Sequence, residues 1–136
     1  MTSDSSGFDA AVVAFSAALE GRIDPEVRTF PDLFCEDGTI EVPFDGDGDS
    51  APIVGRPAIE RMVAGLAGFL RFERVDFTSV LPTDRPDVLV CEYVGVLVRA
   101  DMPGAQRRRY ISVLTLRDGR IAHIREYGGP FLPADR

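Results

Sequence analysis

The sequence predicts an α+β domain in which helices pack on one face of a curved antiparallel sheet. Three observations predict it. Apolar residues recur at helical spacing through the N-terminal half, they alternate from Arg71 onward, and Asp118-Gly119 marks a tight hairpin between the last two alternating runs. A twisted sheet with helices on one face makes a cone, and a cone of this size holds one small molecule between sheet and helices.

Phe8, Val12, Phe15 and Leu19 fall on one helical face, Ser6 and Asp9 form a weak N-cap pair, and Gly21 ends the run, so a first helix spans about residues 7–20. Asp24-Pro25 is an N-cap followed by proline in the first turn, and Val27, Phe30, Leu33 and Phe34 supply an apolar stripe. Pro31 interrupts that stripe, which predicts a broken helix or two short ones between 25 and 35. Glu36-Asp37-Gly38 reads as a turn, 39–44 as a short strand, 45–52 as a loop and 53–55 as a second short strand. Arg56-Pro57 opens a third helix that aligns Ile59, Met62, Val63, Leu66 and Leu70, with Gly65 and Gly68 weakening it. Long strands follow at about 71–80, 87–100, 107–117 and 120–127, and the tail after Gly128-Gly129-Pro130 is irregular. The domain layout is a disordered N-terminus over 1–7, one domain over 8–130 and a tail over 131–136.

Composition narrows the function. The 136 residues carry a net charge of −7, which disfavours a phosphate-binding surface and so nucleic acid. No apolar run approaches the ~20 residues of a membrane span, and the N-terminus lacks the charged and apolar regions of a signal peptide. The expected location is therefore the cytoplasm. Every basic residue is Arg, so a lysine Schiff base is excluded; the single histidine, His123, excludes a multi-histidine metal site. Cys35 and Cys91 are too few for a disulfide framework and read as buried thiols. No cofactor is expected.

A two-residue turn at Asp118-Gly119 predicts that Arg117 faces Arg120, Thr115 faces Ala122, Val113 faces Ile124 and Ile111 faces Glu126. Ile111, Val113, Thr115, Ala122, Ile124 and Glu126 then share one sheet face, taken as the cavity wall. A four-residue loop at 102–105 adds Val94, Val96 and Val98 to it, with Glu92 at one end; a loop one residue different flips strand 87–100 and brings in Tyr93 instead. Glu126 is the acid of that face. A carboxylate among apolar groups titrates high, which suits acid–base chemistry near neutrality. The structural alternative is an ion pair with Arg109.

The stretches LFCEDGTIEVPF (33–44), IVGRPAIERMV (53–63) and RRYISVLTLRDGRIAHIREYGGP (108–130) resemble the SnoaL-like branch of the nuclear transport factor 2-like superfamily, which includes polyketide cyclases and phenazine-biosynthesis A/B-like proteins. The resemblance spans about residues 8–130. It implies a cone of three helices on a bent antiparallel sheet, a homodimer through the outer sheet face, and cofactor-free chemistry on a small hydrophobic substrate. It also implies an acid on the last strand, at Glu126. The base of ketosteroid isomerases corresponds to Val42, and the third-helix histidine of phenazine-type proteins to Met62, so neither chemistry is expected. Limonene-type epoxide hydrolysis uses an Asp-Arg-Asp set that the sequence does not readily assemble, so epoxide hydrolysis is the less favoured chemistry.

The candidate site residues are Glu126, with Tyr93 as a hydrogen-bond donor, Arg109 as a carboxylate or carbonyl partner, and His123 as the lone imidazole. Each has a plainer reading. Tyr93 also suits cross-strand packing and Arg109 a solvated strand end, and the hairpin register turns His123 to the face opposite Glu126. Asp37 reads as a turn former. Asp45-Gly46-Asp47-Gly48-Asp49 opens like a calcium loop but continues with Ser50 and Arg56 where Gly and Glu are required, so it reads as a solvated loop at the cone mouth. The expected function is a cofactor-independent cyclase or isomerase acting by general acid–base catalysis on a hydrophobic, polyketide-like intermediate. The alternatives are a small-ligand binding module and a dimerisation domain.

Overall fold

The computed structural model describes residues 6–45 and 51–134. Helix α1 (Asp9–Ala18) follows a 3-10 turn at Ser6–Phe8 and buries Ala11, Val12 and Phe15. Residues 1–5 of the stretch expected to be disordered lie outside the described residues, while Ser6 and Gly7 belong to that turn.

The helix expected between 25 and 35 does not form. The Asp24 side chain accepts from the Glu26 N–H at 2.8 Å, which starts a turn, and only a 3-10 segment, Pro31–Leu33, follows. Pro31 has no N–H to give to an α-helix, and its ring would collide with the carbonyl four residues back. Val27 and Leu33 are nevertheless buried, so the stripe packs without a helix. The domain thus has two α-helices among the described residues, not three.

Strand β1 (Phe34–Glu41) is followed by β2 (Ile53–Val54), helix α2 (Arg56–Leu66), β3 (Leu70–Pro82), β4 (Val88–Arg99), β5 (Ala105–Arg117), β6 (Arg120–Gly128) and β7 (Leu132–Pro133). The turn expected at 36–38 is an irregularity inside β1, where pairing with β6 jumps between Phe34 and Thr39. Arg56 ties the start of α2 to β1, donating to the Phe34 carbonyl from Nε and Nη2 at 3.2 and 2.6 Å. The sheet order is β2-β1-β6-β5-β4-β3; β1 and β6 run parallel and the other pairs antiparallel. The tail is not wholly irregular, because β7 pairs with β5 beyond the end of β6.

The hairpin forms where expected, with Asp118 at φ 55° and Gly119 at φ 79°, and Arg117 faces Arg120. The register then departs from expectation. Ala122 is an extra residue in β6, a β-bulge, so Thr115 faces His123 and Ser112 faces Glu126. The bulge reverses the β5 face. Tyr110, Ser112 and Leu114 point into the core, whereas Ile111, expected on the cavity wall, is exposed. Strand β4 reverses with it: Leu89, Cys91, Tyr93 and Leu97 are buried on the inner side, and Glu92 pairs opposite Ile111 on the outer one. Ile121 and Ile124, three apart, both point inward because the bulge lies between them.

Candidate active site

Between the helices and the inner sheet face lies a cavity of about 230 Å³. Phe8, Phe15, Phe72, Ile121 and Ile124 are among the apolar residues that line it. Phe15, Phe77, Tyr93 and Tyr110 make a chain of ring contacts, with centroids 4.9 Å apart for Phe15–Phe77, 4.8 Å for Phe77–Tyr93 and 5.2 Å for Tyr93–Tyr110. Into this apolar lining project Asp45, Tyr93, Arg108, Tyr110 and Glu126.

Glu126 sits in the cavity wall because β6 continues its alternation past the Ala122 bulge. The Tyr93 hydroxyl donates to Glu126 Oε1 at 3.1 Å, and Ser112 Oγ lies 2.7 Å from the same hydroxyl. A phenol has one proton. While it goes to Glu126, Ser112 must donate to Tyr93, giving a chain Ser112→Tyr93→Glu126. If Glu126 takes up a proton, the chain can reverse, Glu126 donating to Tyr93 and Tyr93 to Ser112. Burial raises Glu126 above the ordinary carboxylate range; the Tyr93 hydrogen bond and the Arg108 charge pull it partly back, and Asp45 adds to the rise. Burial, then the Glu126 charge, pushes the Tyr93 hydroxyl well up, so it stays a donor at neutral pH.

Arg108 is held firmly. Nε donates to the Gly129 carbonyl at 2.7 Å and Nη2 to Asp45 Oδ1 at 2.8 Å. Its guanidinium carbon is 4.5 Å from the Phe131 ring centroid and 5.2 Å from that of Tyr110. Burial works against its charge, but the Asp45 carboxylate and the Tyr110 hydroxyl together outweigh that and keep it protonated.

Of the four residues named from sequence, the cavity brings together Glu126 and Tyr93. Arg109 is exposed, one residue out of phase; Arg108 takes the cavity position instead, because the bulge reverses β5. The ion pair considered between Glu126 and Arg109 is therefore absent. His123 stands on the outer face, 2.5 Å from Thr39 Oγ1 and 3.0 Å from Glu41 Oε1. Asp37 is exposed and paired with Arg117 at 2.5 Å. The calcium-like run falls largely on 46–50, outside the described residues, but Asp45 reaches the cavity. Sequence reasoning missed Arg108, Tyr110, Ser112 and Asp45. Asp45, Arg108 and Glu126 bring two acids and an arginine into one cavity. Val42 and Met62, the apolar residues at positions where the resemblance implies an acid and a histidine in some relatives, also line it.

The model of the SnoaL-like domain matches residues 12–124. The chain belongs to this family. A PhzA/B-like protein of Pseudomonas aeruginosa, PA3332, which is itself uncharacterised, is 33% identical over 107 residues, covering 77% of this chain and 74% of its own. A solved Bacillus subtilis structure with a provisional isomerase name shares 21% identity at a TM-score of 0.70, covering 96% of this chain and 91% of its own. A Mycobacterium tuberculosis epoxide hydrolase of the LEH-like kind shares 20% identity at a TM-score of 0.60, with coverage of 93% and 85%. At these identities the structural likenesses establish the fold. The fold is nuclear transport factor 2-like, as in a protein of that kind from Anabaena variabilis that shares 21% identity at a TM-score of 0.58, with coverage of 96% and 95%. No helix among the described residues is long and apolar enough to cross a membrane.

Proposed function

We propose that this SnoaL-like protein is an acid–base enzyme, a cyclase or isomerase, acting on a small hydrophobic compound that carries an activated C–H bond. The observation that carries this is Glu126: an acid lining an apolar cavity, raised by burial and hydrogen-bonded to Tyr93. In this reading Glu126 removes a proton beside a carbonyl and returns it to another carbon in an isomerisation, or, in a cyclisation, to the oxygen of the carbonyl that the new carbanion attacks. The Tyr93–Ser112 chain accommodates both protonation states. Apolar walls hold the reacting conformation and exclude water.

The cavity also sets the size. About 230 Å³ is below the ~300–1,000 Å³ of typical ligand pockets, so one or two rings fit better than an extended polyketide-like skeleton. Exchange of the α-protons of 2-tetralone in D₂O, followed by NMR, tests the chemistry. The wild type should accelerate exchange, and Glu126→Gln should fold normally and lower the rate about 10²–10⁴-fold. Equal rates in the two proteins would remove the assignment. Tight binding of tetralone with no exchange above buffer would make this a binding module.

The Asp45, Arg108 and Glu126 set favours a second reading, epoxide opening by water, in which a carboxylate activates the water. Conversion of cyclohexene oxide to its diol, with no tetralone exchange, would favour it over the first.

A further inference from the structure

Arg108 is better built than its one acidic partner requires. Its side chain is 12% exposed, against 38% for Asp45. A Cβ at Gly128 would stand 2.4 Å from the Arg108 guanidinium carbon and Nη2, so only glycine leaves the space that the planar group fills. Phe131 and Tyr110 flank it, and the Gly129 carbonyl takes Nε. The chain thus devotes a glycine, a tail aromatic and a backbone carbonyl to holding one guanidinium at the wall of a largely apolar cavity. Asp45 takes a hydrogen bond from Nη2, and the Tyr110 hydroxyl also interacts with the guanidinium. Guanidinium presents its donors as a planar fork that matches a carboxylate.

We infer that Arg108 is the anchor for a carboxylate on the substrate, and that Asp45 is the counter-ion this carboxylate replaces. The inference rests on the acid–base reading of the same cavity and adds its substrate class: a one- or two-ring carboxylic acid whose reactive carbon lies toward Glu126. The exchange conserves charge, since one carboxylate leaves the guanidinium as another arrives. It is also the easier exchange, because Asp45 is the more exposed partner and recovers its hydration on leaving.

The test compares 2-naphthoate with its uncharged analogue 2-naphthamide by isothermal titration calorimetry at pH 7. The wild type should bind naphthoate about tenfold or more tightly than the amide, the usual effect of a hydrogen bond to a charged group. Asp45→Asn should widen that ratio by freeing the guanidinium. Arg108→Gln should bring it to about one. Gly128→Ala keeps the arginine but displaces its guanidinium, and should narrow the ratio likewise, with circular dichroism confirming that both variants are folded. A wild-type ratio near one, an unchanged ratio in Asp45→Asn, or no binding of either compound overturns the inference. None of these outcomes touches the Glu126 reading, which stands or falls on tetralone exchange. Exchange lost in Glu126→Gln while the naphthoate preference persists would establish the two separately.

Discussion

At the scale of single residues, Glu126 links catalysis to stability. In the unfolded chain its carboxyl ionises near the ordinary 4.5; in the folded chain burial raises that value. The folded state therefore binds this proton more tightly. Its stabilising contribution is complete below pH 4.5 and is lost as the pH rises through the folded value. Glu126→Gln has no such proton to lose and keeps a carbonyl oxygen for the Tyr93 hydroxyl. Its melting temperature relative to wild type should therefore be higher at pH 8 than at pH 4, as differential scanning calorimetry would show. A gap that shrinks with rising pH would mean that Glu126 is not raised. The same titration predicts the rate profile: as a general base, Glu126 should give tetralone exchange that rises with pH through that raised value.

At the scale of elements, the decisive feature is the β5–β6 hairpin. Gly119 is at φ 79°, and a Cβ there would approach Asp24 N to 3.1 Å, so Gly119→Ala should destabilise the fold by about 1–2 kcal/mol, measured by urea unfolding. This hairpin was also the most legible part of the sequence, because Asp-Gly imposes the turn. The four long strands and α2 were legible too, since alternation and the Arg-Pro start are local signals. The faces of β4 and β5 were not. Alternation identifies two faces without saying which is inside, and the Ala122 bulge inverts the pairing a few residues from the turn. Glu126 and Ile124 share the cavity face with or without the bulge, because both lie on β6 beyond it. Unbroken alternation from the turn puts Arg109 on the cavity face, whereas the bulge puts Arg108 there. One sign was available: Ile121 and Ile124 are both apolar and three apart, a spacing that unbroken alternation does not produce. The missing helix between 25 and 35 has another cause, since an apolar stripe at helical spacing can also be buried by turns once proline prevents the helix.

At the scale of the whole molecule, the cavity lies where a tighter-packed domain would have side chains. Ile124 is 4% exposed and lines it, so Ile124→Phe should fill part of the space. Overpacking a filled core costs about 1–3 kcal/mol; here the loss should stay under about 1 kcal/mol, while tetralone binding disappears from calorimetric titration. A larger loss would mean that the space is not free to accept a ring.

The cavity's polar groups are unequally distributed along the chain. Tyr93, Arg108, Tyr110, Ser112 and Glu126 come from three adjoining strands in the C-terminal half, and Asp45 alone among the described polar partners comes from the N-terminal half. The helical half contributes shape. Substitutions in α1 and α2 can therefore remodel which skeleton is admitted while the reactive constellation stays put, and such a division lets descendants of one ancestor diverge in diet before they diverge in chemistry.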